Sequence, residues 1–134
     1  MKYYLDTNII IYAVKNSYPQ IWEHLRRIPS QSIMIPEIVM AEIEYGAQKS
    51  KNYSTTISKY KPFTDVFFKE AFSGRAVERY GTIRAALEQK GTPIGPNDLI
   101  IASTVLANGG VLVTKNISEF SRIEGLIIED WTEN

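Results

Sequence analysis

Two acidic residues stand where short apolar segments of the sequence end. Asp6 follows the segment KYYL, and Glu119 comes shortly after VLVT at 111–114. Both segments have the wholly apolar character of strands buried in a parallel sheet. In open parallel sheets, ligands collect beyond the carboxyl ends of the strands. The sequence therefore predicts that Asp6 and Glu119 lie near one edge of a sheet, where their carboxylates are available for chemistry.

Two further acids, Glu42 and Asp98, lie in segments with helical patterning. Three and four positions away, each has almost only apolar neighbours: Ile38, Val39, Tyr45 and Gly46 around Glu42, and Ile94, Gly95, Ile101 and Ala102 around Asp98. Both carboxylates are therefore expected to face the packed side of their helices. Because burying an unpaired carboxylate costs several kcal/mol, such positions need a compensating partner.

A divalent cation is the simplest compensation for grouped carboxylates, whose mutual repulsion otherwise raises their pKa values. The chain has no cysteine and one histidine, so its available ligands are oxygen atoms. Oxygen ligands favour magnesium, with manganese as a substitute, and disfavour zinc. A carboxylate-bound magnesium ion can bind a phosphodiester and activate water. The four acids therefore predict metal-dependent hydrolysis of a nucleic acid.

Each acid also has a purely structural interpretation. Asp6 is a common residue type for capping a helix, and Asp98 can complement a helix dipole from the first turn. Glu42 can pair with a basic residue or reach solvent, and Glu119 can be an exposed helix residue. Four nearby polar residues are either caps and turn residues or groups that orient the carboxylates: Thr7, Asn8, Thr114 and Asn116.

The composition limits the class of protein. With 134 residues, 44% of them hydrophobic, the chain is predicted to form one domain over residues 1–134. No apolar run reaches the roughly 18 residues of a membrane span, and no secretory signal pattern is present, so a cytoplasmic protein is expected. Fifteen basic and fifteen acidic residues cancel, so any RNA contact must use a local patch.

The segments that must position the acids alternate between strand and helix patterns. Short apolar strands are predicted at 2–5, 32–35, 65–68, 111–114 and 126–130. Helices are predicted between them, over 8–14, 20–28, 37–48, a stretch ending at 60, 74–91 and 96–106. This alternation indicates a three-layer α/β/α domain with a central parallel sheet of about five short strands.

Four motifs in order give the chain a family resemblance. LDTNIII, EIVMAEIEYG, TPIGPNDLIIAS and VLVTKNISEF, the last followed by GLIIEDW, resemble the PIN-domain toxins called VapC over almost the whole length. The resemblance implies a Rossmann-like PIN fold and a magnesium-dependent ribonuclease of a type II toxin–antitoxin pair. It also implies a homodimer and inhibition by a VapB-like antitoxin in a hetero-oligomer.

Carried over position by position, the family's four catalytic acids fall on Asp6, Glu42, Asp98 and Glu119, with Asp6 and Asp98 as the main metal ligands. Many PIN domains have their fourth acid directly after the threonine of the fourth strand, where this chain has Lys115 and Asn116. Glu119 would then take that role from one helical turn later.

The form TPIGPND and the closing EDW resemble the VapC branch that acts on the anticodon loop of initiator tRNA, so tRNA is the expected substrate. Basic residues near the motifs are candidates for RNA contact, although such residues are usually solvated surface groups. These candidates are Arg84, Lys49, Lys51 and Lys115.

Two other classes of protein share parts of this pattern. A phosphoacceptor receiver domain has similar length and an Asp after its first strand, but it needs paired acids there, whereas Asp6 is followed by Thr7 and Asn8. A catalytically silent PIN module that binds RNA or a protein would retain the acids for structure. Labelling by acetyl phosphate would identify a receiver domain. An RNA cleavage assay would distinguish a silent PIN module from an active ribonuclease.

Overall fold

The centre of the computed structural model, which describes residues 1–134, is a parallel sheet of five strands in the order β3-β2-β1-β4-β5. The strands are β1 (Tyr3–Leu5), β2 (Ile33–Pro36), β3 (Phe68–Glu70), β4 (Val111–Val113) and β5 (Ile127–Glu129). All four neighbouring pairs are parallel. The carboxyl ends of all strands therefore lie at one edge, which we call the carboxyl edge.

Seven helices connect and cover the strands. They are α1 (Thr7–Val14), α2 (Pro19–Arg27), α3 (Glu37–Gln48), α4 (Tyr53–Thr64), α5 (Arg75–Gln89), α6 (Pro96–Ala107) and α7 (Ile117–Phe120). None of them combines the length and the apolar character needed to cross a bilayer. The predicted three-layer α/β/α fold with a five-stranded parallel sheet is confirmed.

The burial of the strands follows their position in the sheet. Every residue of β2 and β4 is buried, as are Tyr4 and Leu5 of β1, and most of them belong to one core cluster of 22 buried residues. Helices cover both faces of these central strands, which explains why their sequences are continuously apolar. The edge strands β3 and β5 instead expose Phe68 and Ile127, at 61% and 54% of their surface.

The turn between α6 and β4 brings Gly110 against the first strand. A Cβ atom on Gly110 would lie 2.5 Å from Cε1 of Tyr4 and 2.9 Å from the Lys2 carbonyl oxygen, so only glycine fits. The Tyr4 ring is fully buried, and its hydroxyl donates a hydrogen bond to Oε1 of Glu70, 3.0 Å away on β3. The Tyr4 side chain therefore links β1 to β3 and packs against the close turn before β4.

The predicted strand at 65–68 is wrong in position. Residues 65–67 continue the end of α4: the Val66 N–H is 3.4 Å from the Phe63 carbonyl oxygen and the Phe67 N–H is 3.3 Å from that of Thr64. The strand begins only at Phe68 and reads FKE. The apolar run is explained by tertiary packing, because the Phe67 ring stacks edge-on against Phe63, with ring centroids 5.2 Å apart.

Candidate active site

Asp6 is fixed at the carboxyl edge between the two central strands. It directly follows β1, and its N–H donates to the Val113 carbonyl oxygen of β4 at 3.2 Å. Its side chain caps α1, because Oδ1 accepts a hydrogen bond from the Ile9 N–H at 2.9 Å. Only 7% of Asp6 is exposed, and the fully buried Thr114 hydrogen-bonds its carboxyl group. The carboxylate therefore has a defined position in the fold.

Glu42 lies in α3 and is held from two sides. Its Oε1 accepts a hydrogen bond from the Thr7 hydroxyl at 2.5 Å, and its Oε2 accepts one from the Asn97 amide at 3.4 Å. Thr7 follows Asp6, and Asn97 precedes Asp98 in the first turn of α6. The Glu42 carboxylate therefore lies between the segment that carries Asp6 and the segment that carries Asp98.

Asn97 is a site residue that the sequence interpretation did not single out. It is polar, it directly precedes Asp98, and it lies where a helix begins, so its position gave a usable signal. Asparagine is also common at helix starts for purely structural reasons, so its presence there is weak evidence for a role in the site.

Glu119 belongs to α7 and is connected to Asp6 through two intermediate residues. Its Oε2 accepts a hydrogen bond from the Asn116 amide at 2.8 Å, and the Asn116 N–H donates to the Thr114 hydroxyl at 3.0 Å. Thr114 in turn hydrogen-bonds the Asp6 carboxyl group. Three of the four predicted supporting residues, Thr7, Thr114 and Asn116, thus contact an acid directly, while Asn8 is exposed.

The pKa values show that the four acids act on each other. Burial, helped by the negative charges of Asp98 and Glu42, raises the pKa of Asp6 to about 6, although hydrogen bonds from Thr114 and the Ile9 N–H act to lower it. Burial also raises the pKa of Asp98 to about 6, with contributions from the charges of Glu119 and Glu42. The carboxylates therefore form one electrostatic cluster, which we call the acid cluster.

No basic side chain neutralises the acid cluster. The two salt bridges of the chain join Lys61 to Asp65 and Arg84 to Glu88, both across one turn of an exposed helix surface. The charge of the cluster is therefore available to a cation from solution. Its donor set consists of oxygen atoms only, which fits a hard divalent ion such as Mg²⁺.

The acids do not form a ready-made metal site, because no three acidic or histidine side chains are arranged to hold an ion. Glu42 and Glu119 are instead hydrogen-bonded to their neighbours Thr7, Asn97 and Asn116. An ion would have to draw the carboxylates together.

The four predicted RNA-contacting residues are all exposed on the surface. The Nζ of Lys49 is 5.0 Å from the centroid of the Tyr45 ring, and that of Lys115 is 5.9 Å from the Tyr18 ring. Lys51 is exposed. The guanidinium of Arg84 pairs with Glu88 and donates to the Tyr80 hydroxyl at 2.8 Å. Arg84 is therefore the one of the four whose charged group already forms a salt bridge. The role of all four residues in RNA binding stays a prediction.

Comparison with known proteins identifies the class of this fold and site. The family model described as PIN domain matches residues 3–126. Ribonuclease VapC2 of Rickettsia felis is 42% identical over 132 residues, covering 98% of both chains. The tRNA(fMet)-specific endonuclease VapC of Salmonella typhimurium is 37% identical over 131 residues, again covering 98% of both chains.

A solved structure agrees with these sequence matches. The crystal structure of VapBC2 from Rickettsia felis bound to a DNA fragment from their promoter contains a chain that superposes with a TM-score of 0.92 at 42% identity, covering 98% of this chain and 99% of that chain. The chain therefore belongs to the PIN-domain family, within its VapC group. This membership excludes the receiver-domain alternative.

Proposed function

We propose that this protein is a metal-dependent endoribonuclease, the toxin of a VapBC-type toxin–antitoxin pair. The observation that carries the proposal is the acid cluster, in which Asp6 and Asp98 have raised pKa values and no basic side chain pairs with any member. The names of the relatives, ribonucleases and a tRNA endonuclease, support the same activity.

Asp6 and Asp98 would hold Mg²⁺, or Mn²⁺ in its place, with Glu42 and Glu119 completing the set. A bound ion of this kind supplies a Lewis acid for a phosphodiester oxygen and lowers the pKa of bound water. The remaining residues position the acids: Thr7 and Asn97 orient Glu42, and Asn116 orients Glu119. Cleavage then requires no histidine and no nucleophilic side chain.

The proposed substrate is tRNA, with the anticodon loop of initiator tRNA as the leading candidate. The Salmonella typhimurium relative, named as specific for tRNA(fMet), supports this choice, as do the segments TPIGPND and EDW. Phosphate contacts would come from the basic residues around the carboxyl edge. The candidates are Lys49, Lys51, Lys115 and Arg84.

The proposed partners are a second copy of the chain and a VapB-like antitoxin, in the cytoplasm. Structures of VapBC complexes from three bacteria, which match at 37–42% identity, support an antitoxin partner. We expect the antitoxin to cover the acid cluster and to place a basic side chain where the ion would bind, because the cluster has no cation of its own.

An RNA cleavage assay tests the proposal. Purified protein is expected to cut tRNA with Mg²⁺ or Mn²⁺ and to stop on addition of EDTA. Asp98→Asn should abolish cleavage while the protein stays folded, and Asp65→Asn, the same change at an exposed surface position, should not alter it. Undiminished cutting by Asp98→Asn contradicts the proposed site. Absence of cutting by the unaltered protein favours the silent PIN module.

A further inference from the structure

A small cavity adjoins the acid cluster and is not used by the proposed chemistry. It lies between α1, α3 and α4 and has a volume of about 130 Å³. Glu42 forms one wall, and the other lining residues include Ile11, Gly46, Ala47, Thr56 and Tyr60. We call it the α3 cavity.

The α3 cavity begins within one helical turn of a carboxylate of the acid cluster. Glu42 and Gly46 are four positions apart on α3, so they lie on the same face of the helix, separated by roughly the 5.4 Å pitch. A group in the cavity can therefore be covalently joined to a phosphodiester at the acid cluster through a short linkage such as one sugar.

The walls of the cavity suit a flat, partly apolar ring. Its volume is well below the roughly 300–1,000 Å³ of pockets for drug-sized ligands, so it admits one ring system and not a whole nucleotide. Ile11 and Ala47 supply aliphatic surface, and Tyr60 supplies a half-buried aromatic ring. Proteins that read single-stranded RNA bind unstacked bases against aromatic and apolar side chains in this way.

Polar groups for reading the edge of a base are also present. The Thr56 hydroxyl donates to Oγ of Ser50 at 2.9 Å, and the Ser50 hydroxyl donates to the Ala47 carbonyl oxygen at 2.6 Å. This chain of hydrogen bonds fixes the Thr56 hydroxyl and leaves its oxygen free to accept one. The Tyr60 hydroxyl, a phenol that is protonated at neutral pH, is available as a donor.

Gly46 lines the α3 cavity at a position that is exposed to solvent. A Cβ at this position would meet nothing within 4 Å, and the backbone does not have a positive φ. Neither close packing nor backbone conformation therefore requires glycine here, although glycine inside a helix is less favourable than alanine. A side chain at position 46 would extend from the wall of the cavity.

We propose that the α3 cavity is a nucleobase subsite, which takes one unstacked base next to the phosphodiester that the acid cluster cleaves. The proposal rests on the proposed ribonuclease function. Gly46 is its specificity-determining residue, because the space above it admits the base. Glu42 then lies between the bound base and the cleaved bond.

Binding of neutral nucleosides tests the subsite without any cleavage or metal. The full chain is titrated with adenosine, cytidine, guanosine and uridine and followed by ¹H–¹⁵N NMR, with ribose as the control ligand. At least one nucleoside should shift the Gly46, Ala47 and Thr56 amides, and Gly46→Leu should weaken that binding at least tenfold. Gly81→Leu, which also fills open space on a helix, is the matched control and should bind as the unaltered protein does. The proposal is overturned if no nucleoside shifts these amides, if ribose does so equally, or if Gly46→Leu binds normally.

A second assay connects the subsite to cleavage. An RNA that the protein cuts is prepared with an abasic nucleotide on either side of the cut bond. Removal of one base should lower kcat/KM at least tenfold, and Gly46→Leu should cut intact and abasic RNA at the same reduced rate. Equal cutting of both RNAs by the unaltered protein contradicts the subsite. If that protein cuts no RNA at all, the proposed function fails, while the nucleoside titration still decides the nature of the cavity.

Discussion

The Asp6 carboxylate both caps α1 and belongs to the acid cluster. Burial and the charges of Asp98 and Glu42 raise its pKa from 3.8 to about 6. Between these two pH values the folded protein binds more protons at Asp6 than the unfolded chain does. Stability therefore falls as pH rises through this window and stays at the lower level above it.

Replacing Asp6 by asparagine should stabilise the metal-free protein. Asparagine keeps the shape and caps a helix as well as aspartate does, but it carries no charge. Because the pKa rises from 3.8 to about 6, the free energy of unfolding at pH 7 should increase by up to ~3 kcal/mol, as measured by urea denaturation. The gain should shrink at pH 4. A loss of stability at pH 7 contradicts the account of this site.

Thr7 is expected to act by positioning Glu42. Thr7→Val removes the hydroxyl that donates to Glu42 and keeps the shape of the side chain. We expect kcat/KM for RNA cleavage to fall ~10–100-fold, as for other groups that orient ligands. Thr7→Ser keeps the hydroxyl and should stay near the unaltered rate. Equal rates for the two variants would show that the hydrogen bond has no part in activity.

At this scale, the apolar neighbours of Glu42 and Asp98 predicted that both carboxylates face the packed side of their helices. The hydrogen bonds from Thr7 and Asn97 to Glu42 were not predictable, because their geometry depends on how α1 and α6 pack beside α3. Residue type alone left each polar group with an equally good local role as a cap or turn residue.

Among the elements, strands at the centre of the sheet were the most predictable. β2 and β4 are apolar throughout because helices cover both of their faces. The edge strand β3 reads FKE, and its sequence has no such signal. The apolar residues before it pack at the end of α4, a tertiary arrangement that periodicity does not reveal.

The turn from α6 into β4 should not tolerate a side chain at Gly110. Gly110→Ala places a Cβ against the buried Tyr4 ring and the Lys2 carbonyl, so we expect a loss of ~1–3 kcal/mol in the free energy of unfolding. Gly81→Ala, in an open helical position, should instead gain up to ~1 kcal/mol. Chemical denaturation of both variants compares the two effects. Equal stability of both variants would contradict the close approach.

For the molecule as a whole, zero formal net charge means that RNA must be attracted locally. Lys115 directly follows the buried Thr114 at the carboxyl edge and is the best placed of the predicted contacts. Lys115→Gln should weaken RNA binding regardless of sequence and reduce the slope of log K against log salt by about 1. Lys61→Gln, at an exposed salt bridge, is the matched control. Identical slopes for the two variants contradict a phosphate contact at Lys115.

Composition and periodicity were enough to predict the layered architecture, while the expected tRNA and antitoxin came from the motif resemblance. The reason is physical: a tRNA and an antitoxin are recognised by surface shape and by a few exposed groups, which leave no periodic pattern in the sequence. The acid cluster is supported by both kinds of evidence: Glu42 and Asp98 lie on apolar helix faces, Asp6 and Glu119 follow apolar strands, and all four lie in family motifs.

The proposed activity depends on binding of a divalent cation by the acid cluster. Anomalous diffraction from crystals soaked in Mn²⁺ tests it most directly, because the ion is located without reference to activity. We expect a peak bonded to carboxylate oxygens of both Asp6 and Asp98, and its loss in crystals of Asp98→Asn. A fully soaked crystal with no peak at these two residues, or with one only elsewhere on the surface, would contradict it.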